Sequence, residues 1–310
     1  MKVLITGGAG YIGSVLAEHL LARGDHVHIV DSLTNGDHCL FHFCANPNFE
    51  FTRGDVRDSS LLADAIREAD VIVPLAALVG APMCAADPER AKAVNFDAII
   101  EMAELRSPSQ LIIYPNTNSG YGTGAGASFC TEESPLEPIS VYGRTKVDAE
   151  LALLDQENVV TFRLATVFGA SPRMRIDLLV NHFTYCAVTD GYLVVFEKDF
   201  KRNYVHIRDV ADCMIYAMEN SRQMAGRPYN LGLDDANLSK QELCETIQRQ
   251  VPKFFVHYAE IGEDPDKRNY IVSNQRLREA GFEAKRGLED GIAELIKAYR
   301  TLALGNYRNA

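Results

Sequence analysis

The sequence predicts a doubly wound, mostly parallel α/β sheet joined to a smaller, mixed but mainly helical lobe. Three observations carry this. Short apolar runs alternate with amphipathic helical stretches through the first half of the 310 residues. The first run ends in a glycine series, Gly7, Gly10 and Gly13, and the alternation fades after about residue 166.

Residues 2–6 are a continuous apolar run that ends in glycine, as in a strand buried on both faces. Residues 11–23 place Ile12, Val15, Leu16, His19 and Leu20 on one side of a helix, with Gly24 as its stop. Residues 26–31 form the second strand, which closes a β-α-β unit. Residues 49–52 read as a strand ending at Gly54-Asp55, and 59–69 as a helix capped by Asp58 or Ser59. Strands at 71–77, 111–114 and 159–165 then alternate with helices at 88–105, starting at Asp87, and at 141–154. Such repetition builds a parallel sheet with helices on both faces. Further on, 209–219 reads as another sheet-packing helix and 229–232 as a short strand. The stretch 238–304 reads as mainly helical, with Ser239 as a cap.

Composition narrows the function. Hydrophobic residues make up 47% and charged residues 24%, ordinary for a soluble globular chain. A net charge of −11 argues against a nucleic-acid partner, whose phosphates favour a basic face. It still allows an anionic small molecule held by a few local arginines. Seven cysteines (Cys39, Cys44, Cys84, Cys130, Cys186, Cys213 and Cys244) show no Cys-x-x-Cys spacing, so neither a zinc site nor a disulfide framework is expected. They read as small buried apolar groups in a reducing cytoplasm. No apolar run approaches a membrane span and no signal-peptide pattern precedes the first strand, so a cytoplasmic protein without a membrane partner is expected.

The glycines follow a strand and open a helix, where they permit a tight turn and close approach to a pyrophosphate at the helix N-terminus. Tyr11 and Ile12 stand in that first turn. Asp31 closes the second strand, where a carboxylate accepts a ribose diol and repels a 2′-phosphate. No arginine follows it, so NAD is the expected cofactor rather than NADP. Asp55 and Val56 end the third strand, where they would meet an adenine edge, although an aspartate there also serves as a plain turn former. Leu75, Ala76 and Ala77 end the fourth. Small side chains there would let a cofactor pass close to the backbone, or simply pack. The expected division is an NAD-binding domain over residues 1–165 and a substrate-binding lobe over 166–310, with about 204–232 returning to the first domain.

Tyr142 and Lys146 share a helix face at i, i+4. A phenol titrates near 10, and an adjacent cation lowers an acid by roughly one to three units. That brings Tyr142 toward the range of a general base, able to take a hydroxyl proton while NAD takes the hydride. The same spacing occurs on ordinary surface helices. Its company here, the glycine series and Asp31, favours chemistry.

From Gly7-Gly8-Ala9-Gly10-Tyr11-Ile12-Gly13, through Val141-Tyr142-Gly143-Arg144-Thr145-Lys146, to Tyr204-Val205-His206-Ile207-Arg208-Asp209, the chain resembles an extended short-chain dehydrogenase/reductase. The group it is similar to is the NAD-dependent nucleotide-sugar epimerases and dehydratases, Rossmann proteins throughout, and the likeness runs through essentially the whole chain. The resemblance implies that Tyr142 is the base, that Lys146 holds the nicotinamide ribose, and that Thr117 binds the reacting hydroxyl. It also implies that Asn35, Asp55, Val56, Ala76 and Asn95 line the cofactor. The implied substrate is a nucleotide diphosphate sugar, with Arg202 and Arg268 toward the diphosphate, joined by Asn181. Arg173 and Arg175 are secondary candidates, and Asn118 and Ser119 stand beside Thr117. No metal is expected. His182 and His206 read as structural, since no acid or metal partner stands out near either. Relatives of this kind usually pair, which implies a homodimer or higher homo-oligomer through helices 88–105 and 141–154.

Departures from the family pattern sharpen this. Members usually have a serine-rich stretch where this chain has Pro115-Asn116. The 4,6-dehydratases carry an acid one or two positions after the threonine; Asn118 and Ser119 offer none. The cysteine used by epimerase-reductases of the group is also missing from this loop. The Pro115-Asn116-Thr117-Asn118-Ser119 run and the Ser171-Pro172-Arg173-Met174-Arg175 loop resemble a subgroup of bacterial capsule and lipopolysaccharide pathways that includes GDP-heptose 4-dehydrogenases. Oxidation at C4 is therefore expected. Release of the ketone would make a dehydrogenase and re-reduction on the other face a 4-epimerase, and the motifs are the same for both. A non-catalytic NAD-binding regulator is disfavoured by the intact Thr117, Tyr142 and Lys146.

Overall fold

The computed structural model describes residues 1–36, 38–122, 129–260 and 269–301. The first half runs β1 (Lys2–Thr6), α1 (Tyr11–Ala22), β2 (His26–Asp31), β3 (Phe49–Arg53), α2 (Ser59–Glu68), β4 (Val71–Pro74), α3 (Ala81–Ala86), α4 (Pro88–Lys92), α5 (Ala98–Leu105), β5 (Leu111–Thr117), β6 (Phe129–Cys130), α6 (Val141–Leu154) and β7 (Val159–Leu164). It continues with β8 (Thr166–Phe168), α7 (Leu179–Thr189), β9 (Tyr192–Val195), β10 (Lys201–His206), α8 (Ile207–Glu219), α9 (Ser221–Met224), β11 (Arg227–Leu231), β12 (Asn237–Ser239), α10 (Lys240–Gln250), β13 (Phe255–Tyr258), β14 (Ile271–Val272), α11 (Gln275–Glu279) and α12 (Leu288–Thr301).

Seven parallel strands form the main sheet in the order β11-β7-β5-β4-β1-β2-β3. The chain winds outward from β1 in one direction and from β4 in the other. A crevice therefore opens between them at the carboxyl ends, where open α/β sheets take their ligands. Strand alternation sorts the core onto two faces. Ile5, Ile29 and Ile113 pack with α1 and α8, whereas Leu4, Val30, Ile112 and Tyr114 pack with α2, α5 and α6.

The second lobe has its own core, in which Phe168, Val180, Tyr204, Leu243, Ile292 and Leu295 come together from β8, α7, β10, α10 and α12. Ser239 opens α10 through a capping box with Glu242. The strand at Arg227–Leu231 belongs to the main sheet, beside β7.

Several boundaries differ from the sequence expectation. The fourth strand ends at Pro74 rather than residue 77, because the ladder gives way where Gly7 packs against the backbone of Leu75 and Ala76. The helix expected over 88–105 is interrupted by a π-helical turn, Ala93–Asp97. Between α10 and α12 the chain is not mainly helical among the described residues. Pro252 follows the end of α10, and the β-forming run Phe255–Tyr258 pairs with β9 instead.

Candidate active site

At the end of β1, Gly7 takes a φ of +72°. A Cβ there would lie 2.4 Å from the Ala76 nitrogen, so only glycine admits this contact between the first and fourth strand ends. A Cβ on Gly13 would sit 2.7 Å from the Gly7 carbonyl oxygen, which is how the helix seats so closely on the turn. Gly10 is the N-cap of α1, donating its N–H to the Gly7 carbonyl at 3.0 Å. No side chain caps this helix and no acid stands in its first turn. A bare helix N-terminus behind a glycine cradle, where a Cβ on Gly10 would meet only the Gly7 oxygen, fits a pyrophosphate.

Asp31 ties this cradle to the second strand. Its carboxylate accepts from the Ala9 N–H at 3.0 Å and from the Leu33 N–H at 2.8 Å. Four lone-pair sites on a half-buried carboxylate leave capacity for a ribose diol. Asn35 is exposed in the turn that follows, and Val56 is buried. Asp55 is engaged by Arg57 at 2.6 Å, whose hydrogen bonds hold the carboxyl down at about 2. Leu75, Ala76 and Ala77 are half-buried at the mouth of the crevice. Asn95 sits in the π turn, 1% exposed, and clamps Leu78 by accepting its N–H at 2.8 Å and donating to its carbonyl at 3.0 Å. It thereby holds the loop after β4, with a longer contact of 3.4 Å to Thr145 on α6. The phenol of Tyr11 is turned inward, donating to the Gly169 carbonyl at 2.7 Å, while Ile12 packs against the core.

The opposite side is built from side chains. Thr117 ends β5, and its hydroxyl accepts the Ser119 N–H at 3.1 Å and donates to the Ser119 hydroxyl at 3.0 Å. Ser140 caps α6 by accepting the Gly143 N–H at 3.0 Å, which places Tyr142 in the first turn. A Cβ on Gly143 would stand 3.4 Å from the Ser119 carbonyl oxygen. The Thr117–Ser119 segment therefore lies against the turn that carries Tyr142. Lys146 is one turn deeper and 4% exposed, with Nζ 4.0 Å from the centroid of the Tyr114 ring. Burial pushes its ammonium down to about 7, against the opposing pull of Glu150.

Glu150 was not foreseen from the sequence, although it extends the 142–146 row by one more turn. It is wholly buried and paired with Arg163 of β7 at 2.7 Å, with Arg163 Nε also donating at 2.8 Å. Asn116 donates to its other oxygen at 2.7 Å. Arg163 continues to the Tyr121 hydroxyl at 3.0 Å and the Glu132 carbonyl at 3.1 Å, and Tyr121 donates to Asn230 at 2.7 Å.

Those of the expected substrate residues that the structure describes fall into three groups. Asn118 and Ser119 are buried beside Thr117, and the Asn118 amide has no hydrogen-bond partner among the described residues. Arg175, which pairs with Asp177 at 2.9 Å, lies within electrostatic reach of Tyr142 and Tyr11. Arg173, Asn181 and Arg202 are engaged by the protein: Arg173 donates to the Met174 carbonyl and Arg202, 2% exposed, to the Lys201 carbonyl. Asn181 accepts the Gly169 N–H at 3.1 Å and donates to the Tyr11 hydroxyl and the Arg175 carbonyl. Arg268 lies outside the described residues. One expectation is corrected. His206 does have an acid partner, Glu294, at 2.9 Å across 88 positions, and burial works against that carboxylate while His206 and Arg208 hold it down at about 2.

The NAD dependent epimerase/dehydratase family matches residues 3–232. The chain belongs to this family. It is an NAD-dependent enzyme of the extended short-chain dehydrogenase/reductase superfamily, and its homologues include nucleotide-sugar epimerases and dehydratases. It is 28% identical to the low-salt glycan biosynthesis protein Agl12 of Haloferax volcanii, across 96% of this chain and 98% of that one. To the UDP-glucose 4-epimerase of Mycolicibacterium smegmatis it is 29% identical, across 97% and 99%. Its fold superposes on the dTDP-glucose 4,6-dehydratase DesIV of Streptomyces venezuelae, solved with NAD bound, with a TM-score of 0.84, 26% identity and 97% of both chains covered. Among the described residues no helix is long and apolar enough to cross a membrane, and no cluster of three His, Cys, Asp or Glu side chains could hold a metal.

Proposed function

We propose that this enzyme oxidises the C4 hydroxyl of a nucleotide diphosphate sugar and releases the keto sugar, as a 4-dehydrogenase in the synthesis of a surface-polysaccharide precursor. The observation that carries the reading is the Thr117–Ser119 segment set against Tyr142 and Lys146, with an amide and an alcohol where a dehydratase needs an acid. Thr117 and Tyr142 receive the C4 hydroxyl between them. Tyr142 takes its proton, and the Lys146 ammonium stabilises the phenolate that does so. Bound NAD supplies the acceptor for the two electrons leaving C4 with its hydrogen. Gly7, Gly10, Gly13 and the α1 N-terminus would hold its pyrophosphate, Asp31 a ribose, and Lys146 the nicotinamide ribose.

A C4 ketone acidifies the hydrogen on C5, yet loss of water from C5 and C6 also needs a proton for the departing hydroxyl. Asn118 and Ser119 do not deliver one at neutral pH, so the ketone stays intact. Arg175 lies within electrostatic reach of Tyr142, and the resemblance assigns Arg202, Arg268 and Asn181 to the diphosphate. GDP-heptose is the substrate that the subgroup likeness favours. The 29% identity to a UDP-glucose 4-epimerase supports the second reading, in which the ketone is re-reduced on its other face. We also read the chain as a homo-oligomer paired through the helical stretch 88–105 and α6, where Leu105 and Leu151 are exposed.

Incubation with GDP-, UDP- and dTDP-sugars, followed by mass analysis, separates the outcomes. Dehydrogenation yields a product lighter by two hydrogens. An isomer of equal mass would establish the epimerase, and loss of water would overturn the argument from Asn118 and Ser119.

A further inference from the structure

We propose that Asn116 positions Thr117 for catalysis, by bridging the Thr117 backbone to the buried carboxylate of Glu150 on the helix that carries Tyr142 and Lys146. This rests on the reading of Thr117 and Tyr142 as the groups that receive the sugar hydroxyl.

The bridge is complete in the structure. Asn116 is 3% exposed, and its amide oxygen accepts the Thr117 N–H at 2.8 Å. Its amide nitrogen donates to Glu150 at 2.7 Å. Tyr114, two residues earlier on the same face of β5, lies under Lys146 and donates its hydroxyl to the Lys146 carbonyl at 3.2 Å. The alternate residues 114 and 116 thus lock the strand to successive turns of α6, and Thr117 is the next residue outward.

Glu150 is a firm anchor because Arg163 neutralises it from β7 through Nε at 2.8 Å and the second guanidinium nitrogen at 2.7 Å. Stability alone does not call for such a pair, since well-packed apolar residues commonly serve as well. Geometry does call for it. Only an amide offers a donor and an acceptor on separate atoms of one short neutral side chain. A serine here would not span both partners, and an aspartate would turn a carboxylate toward Glu150. The departure from the serine-rich pattern of relatives at position 116 thereby has a physical purpose.

The test exchanges the two chemistries. Asn116→Asp should lower kcat on the order of a hundredfold, as expected for a misplaced catalytic group, with KM within about threefold. Adding Glu150→Gln reverses the polarity of the bridge, so that the helix now supplies the amide donor and the strand the carboxylate acceptor. The exchanged pair should recover at least about tenfold of that loss. Asn116→Ser should lower kcat similarly, yet by less than about twofold in a Thr117→Val background, which has no hydroxyl to position. Equal losses in both backgrounds, or no recovery in the exchanged pair, would overturn the proposal. Amide hydrogen exchange across residues 111–121 reads the bridge without turnover, and the Thr117 amide should exchange faster in Asn116→Ser. If wild type turns over no nucleotide sugar, the functional reading falls. Unchanged exchange in Asn116→Ser would separately overturn the bridge.

Discussion

The first turn of α1 and the face of α6 that meets β5 both stand at the carboxyl end of the sheet, on opposite faces of it, and they are built differently. The α1 turn is made of backbone. Gly7 and Gly13 bring strand end, turn and helix within distances that no side chain would allow, Gly10 caps the helix between them, and one carboxylate, Asp31, ties the turn down. The α6 face is made of side chains. Tyr114, Asn116, Lys146, Glu150 and Arg163 are nearly all out of solvent, and each is held by a group from another element. A backbone site depends on a few neighbouring residues. A side-chain site depends on the whole fold, so changes distant in sequence should reach it.

Substitutions in each region test that contrast. The largest effect is expected from Tyr142→Phe, which should lower kcat by roughly 10²–10⁴-fold while NAD affinity, read by calorimetry, stays close to wild type. An equal fall in NAD affinity would mean the two regions do not act separately. Next, Arg163→Met leaves Glu150 as a buried unpaired charge and should cost about 3–5 kcal/mol in urea unfolding, with kcat falling as well. Replacing both partners by apolar residues should return most of the stability and little of the activity.

Lys146→Met should stabilise the cofactor-free protein, because wild type buries an ammonium pushed down to about 7. Below pH 7 the lysine is charged in both folded and unfolded chains, and the cost of burying it is fully present. Between pH 7 and its ordinary value of 10.5 the unfolded chain binds the proton and the folded chain does not, so wild-type stability rises with pH. The variant's lead should therefore be larger at pH 6 than near pH 10.5 by on the order of 5 kcal/mol, the full cost of the buried charge. Chemical unfolding across that range checks it; a constant lead would contradict a buried, titrating Lys146. Asp31→Asn should have the smallest effect, about a tenfold loss of NAD affinity with reduced discrimination against NADP, and little change in unfolding.

The parallel sheet, the glycine turn and Asp31 were legible in the sequence because each is written in adjacent residues or in a short period. Tyr142 and Lys146 were legible for the same reason, being one helical turn apart. What supports them was not. Glu150 and Arg163 are thirteen positions apart on a helix and a strand, and nothing local says that they meet. His206 and Glu294 are farther apart still, so a partner that looked absent is in contact. The π turn that aims Asn95 at Leu78 follows from tertiary contacts. The strand at 255–258, within a stretch expected to be mainly helical, agrees with its own β-forming residues and has a partner, β9, that is distant in sequence. Position 116 is the instructive middle case: visible as a departure from the family pattern, its use became readable only with Glu150 beside it.

If chemistry begins at C4 with the proton taken by Tyr142, the hydrogen that leaves C4 ends on the nicotinamide. The direct measurement uses the nucleotide sugar that wild type turns over, carrying deuterium at C4, in a single turnover with the cofactor then isolated. Deuterium on the nicotinamide and a ketone at C4 are expected for wild type, and neither for Tyr142→Phe. Product formed with the deuterium still at C4 and the nicotinamide unlabelled would contradict chemistry that begins at C4.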